Sequence, residues 1–441
     1  MASSTSGIEH SGHPVTASTS LPSLAPVDWA ANRARLLGSL PTDGLVILFS
    51  GAPAAKSADE DYPYAPNRNF LYVSGLDRPN QVVVLGRRGG AVDGEVAFIE
   101  PIDPHAETWT GKMMTPDEAR QVSGIEDVRP VAGWRPYVNR LLSSGRWPTV
   151  YLDLERRAWA EPPSESLRFA HELADRHPGQ ALANCYPMLA ELRRIKSAAE
   201  VDRVRGAVAH TRRGFEAILR HVRPGCYEYE LNGHFTGTLL GGGVDIAYGA
   251  IVATGVNATV MHYITLRDQV GADDAVLVDA AAQFGYYKAD ITRTFPAAGR
   301  FTAEQSALYD VVWEASQEAT AAIRPGLPHA ELNRITRRVL AKGMKALGHM
   351  RDDSELDQYY FHNVSHYLGL DTHDVGEYRE LEPGMVLTIE PGLYLKHRAV
   401  GIRIEDDIAV TASGADILSA DIPNDRRGME EWLAACQASR T

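Results

Sequence analysis

Cysteine is scarce: Cys185, Cys226 and Cys436 are the only three in 441 residues, odd in number and far apart. That excludes a disulfide framework and a CxxC zinc site. Long apolar runs are missing as well. None approaches the ~18 uncharged residues of a membrane span, so no membrane partner is expected. Positive charge is in deficit, with 44 Lys and Arg against 57 Asp and Glu and a net charge of −13. A nucleic-acid partner is therefore not expected, because displacing counterions from phosphates needs a basic face. No glycine fingerprint for a dinucleotide and no P-loop appears. The first 22 residues are rich in Ser, Thr and Gly but lack the basic start and apolar run of a signal peptide. They read as a disordered tail on a cytoplasmic protein.

What is present is an ordinary globular balance, 44% hydrophobic and 23% charged, in a chain long enough for two or three domains. Short β-branched runs, LVILFSG (45–51), QVVVLG (81–86) and EVAFIEP (95–101), alternate with helical stretches. They predict a smaller α/β domain over 23–184 built on a mixed sheet. From Leu189 to about Val222 the only helix breakers are Gly206 and Gly214, which predicts one or two long helices leading into the second domain, 185–441. There, strand pairs (275–295, then 385–395 with 401–411) flank helices at about 303–323 and 329–347. The repeated order suggests an internal duplication, and the whole reads as α+β.

Four acids stand in apolar strand contexts. With Phe284-Gly285 as a two-residue hairpin turn, Asp279 faces Asp290, their Cβ atoms about 5 Å apart. Glu390 ends one later strand, and Glu405 lies within the next, inside IRIEDDIAV. Buried carboxylates this close must be protonated or bridged by a cation. Arg403 offers Glu390 or Glu405 a salt bridge as the structural alternative. The segment HNVSHYLGLDTHD adds His362, His366 and His373, the first two on one face if it is helical, and His262 in VMHYITL is a fourth imidazole. One neutral imidazole and four carboxylates carry −4, the charge of two divalent ions. Mostly oxygen donors with one nitrogen favour Mn²⁺, with Zn²⁺, Co²⁺ or Fe²⁺ as alternatives. Such a pair activates water at neutral pH and polarises a carbonyl or phosphoryl oxygen, the chemistry of a dinuclear metallohydrolase.

The order Asp279, Asp290, His366, Glu390, Glu405, in the settings VDAAAQFGYYKADITRTFP, HNVSHYLGLDTHDVG, LEPGMVLTIEPGLY and GIRIEDD, resembles the pita-bread metallopeptidases (M24). Among them it is most similar to the Xaa-Pro aminopeptidases (aminopeptidase P), with prolidases next. YPYAPNRNFLYVSGL (62–76) is similar to that family's N-terminal domain. The resemblance implies a C-terminal pita-bread catalytic domain and a proline-containing peptide as substrate, cut before the proline. It also implies a homo-oligomer, dimer or tetramer. Asp279 would ligate one ion, His366 and Glu390 the second, and Asp290 and Glu405 both. Glu390 would double as general base, His373 would hydrogen-bond the oxyanion and His262 would close over the substrate. His362 and Arg403 would line the proline pocket. A prolidase is the near alternative; a creatinase-like hydrolase or a metal-free scaffold is the distant one.

Overall fold

The computed structural model describes residues 25–439; the tail expected over 1–22 lies outside them. The N-terminal part is a six-stranded mixed sheet. Its order is Asp127–Pro130, Ala91–Ile99, Val82–Arg88, Gly44–Phe49, Thr149–Leu152, Ala181–Asn184. The central strand Gly44–Phe49 runs antiparallel to Val82–Arg88 and parallel to Thr149–Leu152. It is buried along its whole length because both faces are covered. Val46 and Leu48 pack with Leu36 and Phe70 on one side, while Leu45, Ile47 and Phe49 pack with Trp134 and Phe169 on the other. An unbroken apolar run without polar alternation is the sequence expression of that double cover.

The expected helical stretch is two helices, Tyr186–Arg194 and Ala198–His221. The second starts at Ser197, whose backbone N–H donates to the Glu200 carboxylate at 2.8 Å while its hydroxyl caps the Glu200 N–H. Glu228–Gly241 packs against it. Ile251–Thr254, Ala275–Asp279 and Thr292–Pro296 follow as a three-stranded antiparallel sheet. The order then recurs: helices Ala303–Ala322 and His329–Ala346, then further antiparallel strands. Among the described residues, no helix is long and apolar enough to cross a membrane.

Three local expectations are corrected. The tight turn is Gly285-Tyr286, not Phe284-Gly285: Phe284 pairs with Tyr287 and Gln283 with Lys288. Both turn residues have positive φ, 55° and 69°, as a primed hairpin turn requires. Tyr286 tolerates this with its hydroxyl 3.1 Å from an Asp77 carboxylate oxygen. Asp279 therefore opposes Thr292, and Asp290 lies one diagonal step away. Because the side-chain period is two, the slip leaves both aspartates on one face.

The later strand pair is broken into two ladders, Val386–Ile389 with Asp406–Thr411 and Gly392–Leu395 with Val400–Arg403. Pro391 has no N–H to continue the first ladder. The break leaves Glu390 just past one strand and Glu405 between two, rather than inside them. His362 and His366 lie on irregular backbone, not on a helix.

The second ladder is pinned where Gly401 passes the backbone of Ala258. A Cβ on Gly401 would stand 2.0 Å from the Ala258 carbonyl oxygen. Gly401→Ala is expected to destabilise the fold by about 2 kcal/mol or more, read as a lower thermal midpoint. An unchanged midpoint contradicts this packing.

Candidate metal centre

Asp279, Asp290, His366, Glu390 and Glu405 line one cavity of about 400 Å³ together with His262, His362, His373 and Arg403. All nine residues singled out in the sequence are thus brought together. Donor atoms of Asp290, His366 and Glu405 lie within 4.8 Å of one another. His366 Nε2 is 3.4 Å from Asp290 Oδ2 and 3.6 Å from Glu390 Oε1.

Local backbone delivers each group. Asp279 closes the strand Ala275–Asp279, and the irregular stretch after the hairpin carries Asp290. The Glu390 N–H donates to Val364 O at 2.8 Å, holding that acid beside the histidine segment. The Glu405 N–H donates to Thr292 O at 3.1 Å, fixing it over the other sheet.

The His366 ring is set for ligation. Nδ1 lies 3.0 Å from Tyr367 O, and a carbonyl can only accept, so Nδ1 carries a proton and Nε2, aimed at the carboxylates, is the nitrogen that would ligate a metal once its own proton is displaced. His362 is held differently. Its Nδ1 donates to Asn363 O at 2.8 Å, and its Nε2 accepts from the Tyr394 hydroxyl at 2.8 Å. Burial, and then the nearby Arg403 charge, lower the His362 pKa to about 4, leaving it neutral.

The electrostatics ask for cations. Burial, then repulsion from Asp290, Glu390 and Asp279, raises Glu405 well above the carboxylate range. Glu390 is raised to about 7, chiefly by burial. Burial also raises Asp279, although the Arg403 charge opposes it. Burial alone would lower His366, but the Asp290 hydrogen bond and the Glu390 charge lift it to about 9.

The Tyr248 hydroxyl makes the same point sterically. It lies 2.6 Å from Asp279 Oδ1 and 2.5 Å from Asp290 Oδ1, and one phenolic proton cannot serve two anionic oxygens. Without metal, protons must stand between these groups. The oxygen-rich donor set with one oriented imidazole therefore fits divalent ions.

Arg403 does not pair with Glu390 or Glu405. Its Nη2 donates to Asp279 Oδ2 at 2.5 Å, its Nε to Thr292 Oγ1 at 3.0 Å and its Nη1 to the Tyr394 hydroxyl at 3.3 Å. Thr292 in turn donates to Glu405 Oε2 at 2.7 Å. The sequence reading missed Tyr248, Thr292, Tyr394 and Asp407. Asp407 is wholly buried, with its oxygens 3.2 and 3.3 Å from the Asp290 nitrogen. Burial, then the Asp290 charge, raises its carboxyl well above the usual range. Only Thr292 carried a signal: it shares the parity of Asp290 in a period-two strand.

This fold and donor cluster define a metallopeptidase with the pita-bread architecture. The family model described as Metallopeptidase family M24 matches residues 202–412, and that of the Aminopeptidase P, N-terminal domain matches residues 29–151. The chain is 31% identical to the Xaa-Pro aminopeptidase of Escherichia coli, covering 93% of this chain and 98% of that protein. The solved proline aminopeptidase P II of Yersinia pestis is 32% identical, with a TM-score of 0.85 over 92% of this chain and 99% of its own. Zn-substituted E. coli aminopeptidase P in complex with product is 30% identical, with a TM-score of 0.84 over 93% of this chain and 98% of that one. The chain belongs to the aminopeptidase P (Xaa-Pro aminopeptidase) family. It is a hydrolase that uses divalent metal.

The raised pKa values give a pH signature for metal removal. Between about pH 4.5 and 9 the metal-free native chain holds protons on Glu390 and His366 that the unfolded chain has lost. Its stability contribution from these groups is present at low pH and lost as pH rises through their folded values, about 7 and about 9. Bound cations replace those protons. The gap in thermal midpoint between metal-loaded and chelator-stripped protein should therefore widen from about pH 5.5 to about pH 8.5. A constant or narrowing gap contradicts the assignment.

Proposed function

We propose that this enzyme hydrolyses the peptide bond between an N-terminal residue and a following proline, with two divalent ions, Mn²⁺ by preference. The observation that carries the reading is the convergence of the Asp290, His366 and Glu405 donors within 4.8 Å, in a cavity also lined by Asp279 and Glu390. Asp279, Asp290, His366, Glu390 and Glu405 are the residues that would hold the ions. The ions supply an activated water nucleophile and carbonyl polarisation.

The rest is work for side chains. Glu390 takes the proton of the attacking water and hands it to the leaving proline nitrogen. A carboxylate held beside the activated water is placed to accept its proton and pass it on. His373 donates to the oxyanion, and His262 closes the cavity over the bound peptide. His362, kept neutral, and Arg403, held by Asp279 and Tyr394, line the proline side. The catalytic domain is 185–441 and the N-terminal domain 23–184, a division compatible with the two family matches. We further infer a homo-oligomer, dimer or tetramer, as the family resemblance implies, and a cytoplasmic location, from an N-terminal stretch without signal-peptide features.

The test offers Mn²⁺-reconstituted protein an Xaa-Pro dipeptide and a matching Xaa-Pro-Xaa tripeptide. The tripeptide should be cut before proline, and Glu390→Ala should lower kcat at least about 100-fold. Cleavage of the dipeptide alone makes the enzyme a prolidase. Silence on both with metal bound overturns the reading.

A further inference from the structure

His373 lines the cavity beside His366, their ring centroids 4.3 Å apart, yet its imidazole makes no hydrogen bond among the described residues. A donor that must point at a developing oxyanion is usually aimed by a partner on its other nitrogen. Here the aim has to come from the backbone that carries the ring.

That backbone is held on both sides by one buried guanidinium. Arg193, only 3% exposed, donates through Nη2 to Asp371 Oδ2 at 2.7 Å and to Asp374 Oδ1 at 2.6 Å, the residues two before and one after His373. Lys196 Nζ stands 2.8 Å from the second Asp374 oxygen. The loop cannot drift: a Cβ on Gly369 would lie 2.3 Å from Asp374 Oδ2, so this glycine lets the carboxylate press onto the backbone.

The other arm of Arg193 reaches into the N-terminal domain. Nη1 donates to Asn69 Oδ1 at 2.8 Å, and Asn69 Nδ2 donates to Asp153 Oδ2 at 2.9 Å. Asp153 follows the parallel strand Thr149–Leu152, so the chain of contacts runs from the first sheet to the catalytic loop.

We propose that Arg193 is a positioning residue for His373, and that through Asn69 and Asp153 the N-terminal sheet sets the aim of that imidazole. The inference rests on the proposed role of His373. Guanidinium geometry is needed because its fork serves two carboxylates and an amide at once, which an ammonium cannot reproduce.

The test is a double-mutant cycle on the Mn²⁺-loaded enzyme with a proline-containing tripeptide. Arg193→Lys should lower kcat by about tenfold or more while KM changes by less than about threefold. Asp371→Asn is a milder variant that leaves Asp374 and Lys196 paired, and it should move kcat in the same direction. In a His373→Ala background neither substitution should lower kcat further. Effects that multiply in the double mutants, or that fall on KM alone, overturn the proposal. If Arg193→Lys fails to fold, the Asp371→Asn arm decides by the same criteria. An unchanged kcat in His373→Ala alone overturns instead the reading of the site on which the proposal rests, and the cycle tells the two failures apart.

Discussion

Four carboxylates driven into one buried cavity, with a single guanidinium in direct contact, are the constraint on which the active half of this molecule depends. Asp279, Asp290, Glu390 and Glu405 lie where ionised groups are costly unless compensated. Arg403 answers only part of this, and it answers Asp279. The remainder must be met by protons or by metal. The raised carboxyls of Glu405, Glu390 and Asp279, and the raised His366, express one shortage of positive charge. A cluster with that shortage, one oriented imidazole and an open cavity is a place for divalent ions.

The rest of the fold can be understood as the means of holding this unfavourable arrangement. Two broken ladders present Glu390 and Glu405, and Pro391 guarantees the break. The slipped hairpin places Thr292 opposite Asp279, where its hydroxyl can hold Glu405 while accepting from Arg403. Tyr394 ties Arg403 to His362, so these groups of the cavity wall form a single hydrogen-bonded unit. Arg193 ties the His373 loop to the N-terminal domain, which gives that domain a mechanical share in the site.

The four acids were legible in the sequence because each violates its surroundings: an acid between Val, Ile, Leu or Ala needs a reason; His366 was set apart from three other histidines only by the family resemblance. The mixed N-terminal sheet and the paired helices were legible from apolar runs and from the lack of breakers. The hairpin register was not, because a tyrosine at positive φ gives no warning and Phe-Gly looked as good a turn as Gly-Tyr. Tyr248, Tyr394 and Asp407 were missed for a related reason. A tyrosine in or beside a strand looks like core, and Asp407 stands beside Asp406, whose bond to Arg293 is an ordinary buried ion pair. Which carboxylate Arg403 would meet depended on a contact 124 positions away, and spacing along the chain carries no information about it.

Whether this cluster holds cations is decided by elemental analysis. Protein stripped of metal, reconstituted with Mn²⁺ and freed of excess ion should retain two ions per chain, with fewer after Asp290→Asn or Glu405→Gln. Retention of no stoichiometric metal by the folded, unaltered chain would mean that protons, not cations, compensate these carboxylates.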